Sequence, residues 1–377
     1  MQDGVRFATT EEELKASYQL RYRVYVECMG RLKDKGDHQL KELRDSHDDN
    51  ARAVVAIKGG EAIGTLRLFW GGDKLFSQTL IEAYHLSSFL EKLEQPQICI
   101  VERLMVDEKH RGSSATLRMY KEVMHFVLDN HIEAVLLDCE PHHLNSYLKL
   151  GFRPFTKTYS YPGIGLVIPM VLISGDYEHL QSVGSPFALL TSEKDLDHCL
   201  YVNELLDIIS DNKNVVSETA WDHADFVRQI YADKHLWEDG NPKIFDGLSD
   251  DEICRVIEKS HIIECKEGDH IIETNNAAKT MFVVISGIVE VYRSKDQLAV
   301  IAQGGVIGEV AFFLQRSRSA SIIAATHDVR LLSLDEPSMS RLLKFEPVLA
   351  NKILTNLCRV LCSRLIGGVE TSDLRSN

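Results

Sequence analysis

The chain has 377 residues, 44% of them hydrophobic and 26% charged, the make-up of a soluble globular protein too long for one ordinary domain, so two are expected. Its net charge is −14, and residues 171–239 alone hold 14 acidic against 4 basic side chains, so the acidity belongs to a connector and leaves no basic footprint for nucleic acid. No apolar run approaches the roughly 20 residues needed to cross a bilayer, and the stretch from Met1 to Leu14 has no apolar segment that could act as a secretory signal. The eight cysteines are scattered without a CxxC pair, which suits a reducing cytoplasm and argues against a disulfide frame or a zinc ribbon.

In chain order, residues 14–29 read as a helix with Leu14, Tyr18, Tyr22 and Tyr25 on one stripe and Arg21 and Arg23 within it. A polar loop rich in Asp and Gly follows. Two alternating strands, residues 53–57 and 62–68, are joined by Lys58-Gly59-Gly60-Glu61, a turn that makes a hairpin. A helical patch over 80–93 leads to a strand over 98–106, then to a basic-glycine turn, then to a helix ending near Asn130. Ala134 to Asp138 is a strand, and Asn145 to Leu150 a helix closed by Gly151 at the position that favours a left-handed residue.

A strand that feeds a basic-glycine turn and then a helix aims unpaired N–H groups at an anion. The turn Arg111-Gly112-Ser113-Ser114-Ala115-Thr116, with the later run Tyr147-Leu148-Lys149-Leu150-Gly151-Phe152-Arg153, resembles the GNAT-like acetyltransferase superfamily. That superfamily grips coenzyme A or the phosphopantetheine of acyl carrier protein; here Ser114 and Thr116 stand where its usual turn has glycine or alanine. Leu20 to Tyr25, the Asp45-Ser46-His47-Asp48 run, the strand Thr65-Leu66-Arg67-Leu68 and Glu102-Arg103 occur in the order seen in acyl-homoserine-lactone synthases and N-acyl amino acid synthases. The strand 168–172, followed by Asp176 and Ser185-Pro186, is similar to the second group. The resemblance implies an N-acyltransferase domain over residues 1–187, using acyl-CoA or acyl carrier protein thioester as donor.

Such a reaction needs a neutral amine, a polarised thioester carbonyl and a protonated leaving thiolate. Glu102 is the candidate base and Tyr147 the candidate acid, with Arg103 beside them. Backbone N–H groups near Met105 and Val106 are the candidate oxyanion hole. Arg21, Arg67 and Arg103 are expected to hold an acceptor carboxylate or orient the N-terminal lid, while Lys109, His110, Arg111, Gly112 and Ser114 meet the donor phosphate. Plainer readings stand beside these. Glu102 and Arg103 should point to opposite faces of their strand, Tyr147 could be a core aromatic with a satisfied hydroxyl, and Asp45 and Asp48 read more readily as loop solvation than as chemistry. His142-His143 beside Cys139 lacks further ligands at suitable spacing, so no metal is expected.

Residues 188–240 form the acidic connector, with amphipathic stretches over 195–209 and 220–232 and a break at Asp239-Gly240-Asn241-Pro242. The stretch Gly304 to Ser321 has the parts of a pocket for a small phosphate ester. Gly308 lets backbone approach an anion, Glu309 can accept from a sugar hydroxyl, and Val310, Ala311 and Phe312 open a short helical turn. Nine positions beyond Glu309, Arg318 can fork onto phosphate oxygens, and Ser319 adds a donor before Ala320. These residues resemble the phosphate-binding cassette of cyclic-nucleotide-binding domains, with Ser317 where many members have proline; the likeness extends over residues 245–365. Its opening run Phe245 to Ser249, Gly268-Asp269 and the strand run 281–291 with its Ser286-Gly287 turn also fit, and Asn275-Asn276 replaces a Gly-Asp turn. Residues 338–365 are strongly helical around an interruption at Pro347, and in that family such helices lid the nucleotide or pair protomers, so a homodimer is one expectation.

The fold class expected is α+β. A GNAT-like mixed sheet flanked by helices comes first, then a helical connector, then a C-terminal β-barrel of jelly-roll type with flanking helices over residues 241–377. The expected function is a cytoplasmic N-acyltransferase set by a cyclic nucleotide, cAMP ahead of cGMP. Its rivals are a nucleotide sensor with an inactive first domain, and a protein-lysine acetyltransferase.

Overall fold

The computed structural model describes residues 1–161, 164–191, 199–210, 215–216, 243–257, 260–276 and 279–374. The chain divides into two compact units, Met1–Thr156 with Ile168–Asn212, and Lys157–Val167 with Lys213–Asn377. Part of the expected connector, including the stretch 220–232 and the break at Asp239 to Pro242, lies outside the described residues.

In the first unit, alternation builds β1 (Gly4–Phe7), β2 (Arg52–Lys58), β3 (Glu61–Trp70) and β4 (Ile98–Val106), each antiparallel to the next. The β2–β3 turn puts Gly59 and Gly60 at φ +61° and +80°, a conformation costly for a side chain. β5 (Ala134–Cys139) joins β4 in parallel, and then come β6 (Arg153–Pro154), β7 (Tyr159–Tyr161) and β8 (Gly165–Ile173). The sheet order is β1-β2-β3-β4-β5-β8-β6, with β7 paired to β8. Every residue of β8 is buried, as a near-continuous apolar strand covered on both faces should be. β7 and the first residues of β8, up to Val167, cluster with the second unit.

The helices follow from capping and periodicity. α1 (Glu11–Arg21) starts on a Thr10–Glu13 capping box, begins earlier than its stripe suggests, and passes into a π-helical turn over Tyr22–Cys28 that carries Tyr22, Val24 and Val26 inward. The helical patch becomes two short pieces, α2 (Gln78–Ala83) and α3 (Ser87–Leu90). α4 (Ala115–Asp129) buries Met119, Tyr120, Val123, Met124 and Val127 along one face. α5 (Leu144–Leu150) ends at Gly151, φ +103°. α6 (Tyr177–Ser182) and α7 (Val202–Ser210) complete the unit. In its core the rings of Phe89 and Phe155 meet edge-on at 5.0 Å; a buried side chain of that size contributes about 1.5–3 kcal/mol.

Beyond its 157–167 segment, the described part of the second unit continues with β9 (Val215–Val216) and α8 (Asp250–Ile257), followed by strands, one short helix among them and a helical end. The strands are β10 (His261–Cys265), β11 (His270–Ile272), β12 (Thr280–Ser286), β13 (Val289–Arg293), β14 (Asp296–Ile301), β15 (Val306–Ile307), β16 (Ser321–Ala324) and β17 (Val329–Asp335). They form two antiparallel sheets, β15-β12-β17-β10-β9 and β11-β16-β13-β14. The run 281–291 is therefore two strands in two sheets, switched at Gly287, φ +74°, where a Cβ would meet Thr326 and Val329. α9 (Glu309–Leu314) follows β15, and α10 (Glu336–Phe345) and α11 (Pro347–Leu374) end the chain on either side of the expected interruption.

Candidate functional site

The first site forms where the sheet of the first unit opens. β4 and β5 pair only over Ile98–Ile100 and Ala134–Leu136; from Val101 onward β4 has no β5 partner. In the same segment the β3–β4 register slips between Thr65 and Arg67, so β4 holds an extra residue, and Arg103 takes φ +52°. The bulge overturns the expectation that Glu102 and Arg103 point to opposite faces. Arg103 Nη2 donates to Asp45 Oδ2, and Arg103 Nε stands 4.0 Å from Glu102 Oε1.

Around this bulge lies a chain of ion pairs. Arg67, 3% exposed, donates from Nη1 to Asp45 at 2.7 Å, lies 3.0 Å from Asp48, and forks onto Glu102 Oε1. Arg21, fully buried, donates to Asp48 at 2.5 Å. Burial works against the Asp48 carboxylate, but Arg21 and Arg67 more than offset it and hold its pKa below the usual range; for Asp45, burial is likewise outweighed by Arg67 and Arg103. Asp45 and Asp48 are thus counterions of the arginines rather than loop solvation. Arg21 and Arg67, expected to meet the substrate, are both buried within these pairs. Arg103 differs. It is partly exposed, and its Nη1 is buried with no hydrogen-bond partner among the described residues. Tyr84, at the end of α2, donates its hydroxyl to Glu102 Oε2 at 2.5 Å, a partner that no motif announced.

Tyr147, on α5, receives a hydrogen bond from the Tyr120 hydroxyl at 3.1 Å. Burial raises the Tyr147 pKa, and Tyr25 and Glu140 also act on it. Burial raises the Tyr25 pKa, and Arg103, Glu140 and Glu102 also act on it. Met105 is buried and pairs with Thr65, and Val106 with Gly64, on the β3 side of β4. Arg111, Gly112 and Ser114 are exposed at the start of α4, with Gly112 at φ +78°.

The second site is the cassette. Gly308, φ +75°, precedes α9, and a Cβ there would fall on the Arg318 guanidinium. Arg318 is 7% exposed and donates to Gly308 O at 2.6 Å and Thr280 O at 2.5 Å. Its backbone pairs with the expected Asn turn: Arg318 N donates to Asn276 O, and Asn275 N, from a residue at φ +69°, donates to Arg318 O. Glu309 is 5% exposed, and Arg364 of α11, missed in the sequence, donates to its Oε1 at 2.7 Å. Val310 and Ser319 are exposed, Ala311 is buried, and Ala320 is half-buried.

The two units therefore hold a split sheet with a charged bulge and an antiparallel domain built around a buried Arg–Gly pair. Comparison with known proteins gives these classes particular families. Residues 16–176 match the N-acyl amino acid synthase FeeM family, and residues 262–345 match the cyclic nucleotide-binding domain family. The chain thus carries a FeeM-like domain on its N-terminal side and a cyclic nucleotide-binding domain on its C-terminal side. A curated relative, Glutaminase 2 of Bradyrhizobium diazoefficiens, is 33% identical over 138 residues, covering 36% of this chain and 22% of the relative. Among solved structures, the catabolite activator protein of Thermus thermophilus is 25% identical over 35% of this chain and 62% of its own, with TM-score 0.32. FeeM, an N-acyl amino acid synthase from uncultured soil microbes, is 16% identical over 51% of this chain and 99% of its own, with TM-score 0.39. The chain spans about a fifth of the curated relative and under two thirds of the activator. Among the described residues, no helix is long and apolar enough to cross a membrane, and no group of three or more His, Cys, Asp and Glu could hold a metal.

Proposed function

We propose that the chain is an N-acyltransferase under cyclic-nucleotide control, moving an acyl group from a coenzyme A or acyl carrier protein thioester to the amine of an amino-acid-like acceptor. The observation that carries this reading is the orphaned Nη1 of Arg103 at the bulge, beside Glu102 and at the point where β4 leaves β5. A carboxylate on the acceptor would supply the missing partner, because a buried donor left unpaired costs about 1–3 kcal/mol. Its amine would then lie within reach of Glu102, which takes the ammonium proton directly or through a water while Arg67 and Tyr84 hold the carboxylate still. The donor enters along the gap, its carbonyl oxygen facing the backbone at Met105 and Val106 and its phosphates facing Arg111, Gly112 and Ser114. Tyr147 protonates the departing sulfur.

In the second unit the ligand is a cyclic purine monophosphate, cAMP ahead of cGMP. Its phosphate engages Arg318 and its ribose hydroxyl Glu309, with Ser319 and the α9 backbone adding donors. Differential affinity for two states of α11 then sets the output. Lipid extracts and proteins from cells overexpressing the chain, read by mass spectrometry, test the first half. N-acyl amino acids support it, acetylated lysines would point to a protein acetyltransferase, and neither product would leave a sensor. Calorimetry with cAMP and cGMP on ligand-free protein tests the second half, where no heat with either defeats it.

A further inference from the structure

Tyr120 has a hydroxyl that packing alone does not require. It lies on the buried face of α4, 2% exposed, among Phe152, Phe187 and Tyr147. Phenylalanine would fill that space without a polar atom to satisfy. The hydroxyl instead donates to Tyr147 Oη at 3.1 Å, with the two rings edge to face at 90° and 6.2 Å apart. The contact carries the argument, because an Oη that has lost its proton can only accept, and the Tyr120 hydroxyl stands within hydrogen-bond distance of it. A donor there favours the state in which that oxygen has lost its proton.

We propose that Tyr120 is a positioning residue for acid catalysis by Tyr147, fixing its ring and stabilising the phenolate formed when the proton passes to the leaving sulfur. The inference rests on the acyl-transfer reading above. The step balances as follows. The acceptor ammonium gives one proton to Glu102, its nitrogen forms a bond to the thioester carbon, and the carbon–sulfur bond breaks with its electron pair on sulfur. Tyr147 Oη–H protonates that thiolate, leaving a phenolate that accepts from Tyr120 Oη–H. The second proton of the new amide nitrogen returns to Tyr147 through solvent, so the products are amide, thiol and one proton. Among the described residues, the charged and titratable groups facing Tyr147 are Tyr120 on α4, Tyr25 on the π-helical turn, Cys139 at the end of β5, Glu140 just after it, and the His143 ring at 6.4 Å. Buried Tyr147 is otherwise an expensive place for negative charge, and Tyr120 is the neighbour that favours its ionised form.

The test is the full-length Tyr120→Phe variant assayed with acyl-CoA and amino-acid acceptors, then with an acyl 4-nitrothiophenyl thioester, whose leaving group departs without a proton. A hydrogen bond to a developing charge predicts a fall in kcat of roughly 10- to 100-fold with acyl-CoA. KM should be unchanged, and the activated donor should restore kcat to within about two-fold of the wild type. The double variant with Tyr147→Phe should be no slower than Tyr147→Phe alone. An equal loss with both donors assigns Tyr120 a packing role and overturns the proposal. So does wild-type kcat with acyl-CoA. Wild-type kcat in Tyr147→Phe removes the acid itself and with it the pair, whereas no transfer by the wild type with any thioester defeats the acyl-transfer reading.

Discussion

Each unit buries an arginine centre, and the two are neutralised in different ways. Around β4 the three guanidinium groups of Arg21, Arg67 and Arg103 meet the three carboxylates of Asp45, Asp48 and Glu102, so charge is matched by charge. In the cassette Arg318 donates to the peptide oxygens of Gly308 and Thr280. The first arrangement gives a matched frame that leaves one donor, Nη1 of Arg103, without a hydrogen-bond partner among the described residues. The second leaves a cation whose carbonyl bonds a phosphate can replace with stronger, charge-assisted ones.

The largest effect that would break this comparison is expected at Arg67. Arg67→Ala takes a guanidinium from three carboxylates at a nearly closed site, leaving Arg21 on Asp48 and Arg103 on Asp45, and the loss should be about 3–5 kcal/mol, seen as a much lower first thermal transition or insoluble protein. Arg67→Lys should recover little, since an ammonium cannot fork. A melting curve like that of the wild type would show that the pairs carry no load. Next comes Arg318→Ala, which should weaken cyclic-nucleotide binding by about 100-fold or more in calorimetry while lowering stability far less than Arg67→Ala. Equal destabilisation by the two would erase the distinction drawn here.

His261 sharpens the comparison by showing a buried base with neither kind of match. It is 4% exposed, and neither ring nitrogen has a hydrogen-bond partner among the described residues. Burial lowers its pKa to about 4, with Asp335 opposing and Arg341 adding to the shift. The unfolded chain therefore binds the proton first. Stability is full above pH 6.5, the unfolded value, and falls as pH drops from there to about 4, by at most roughly 3 kcal/mol. Urea unfolding at several pH values should show a shallower slope in that window for His261→Leu, and identical slopes would refute the assignment. The smallest effect belongs to Arg364→Ala. The Arg364 side chain is 35% exposed, so with solvent screening its loss should cost no more than about 1 kcal/mol, although nucleotide affinity should change because Glu309 is its partner.

The cassette was legible because its parts are contiguous: a glycine at positive φ, the carboxylate after it and the arginine it accommodates lie within one short stretch. The bulge was not, since a left-handed arginine has no sequence signature. Asp45 and Asp48 looked like loop residues because loops are rich in them. The clue lay elsewhere, in Arg67 on a strand buried on both faces, which needs counterions from somewhere. Tyr84, Tyr120 and Arg364 act through spacings of 18, 27 and 55 residues, and no local pattern reports such pairs. The two antiparallel sheets fit the α+β class, and the run 281–291 hid its sheet change because one glycine makes it.

Residues 157–167 were read as part of the first domain, yet they fold with the second unit. Thr158 donates to Glu264 O at 2.6 Å, and Asn276 Nδ2 donates to Ile164 O at 2.6 Å. Scissors placed anywhere in the acidic stretch therefore cannot free an intact receptor half. A fragment beginning at residue 241 would lack this ribbon, leaving Asn276, whose carbonyl accepts from the Arg318 amide, without one of its anchors.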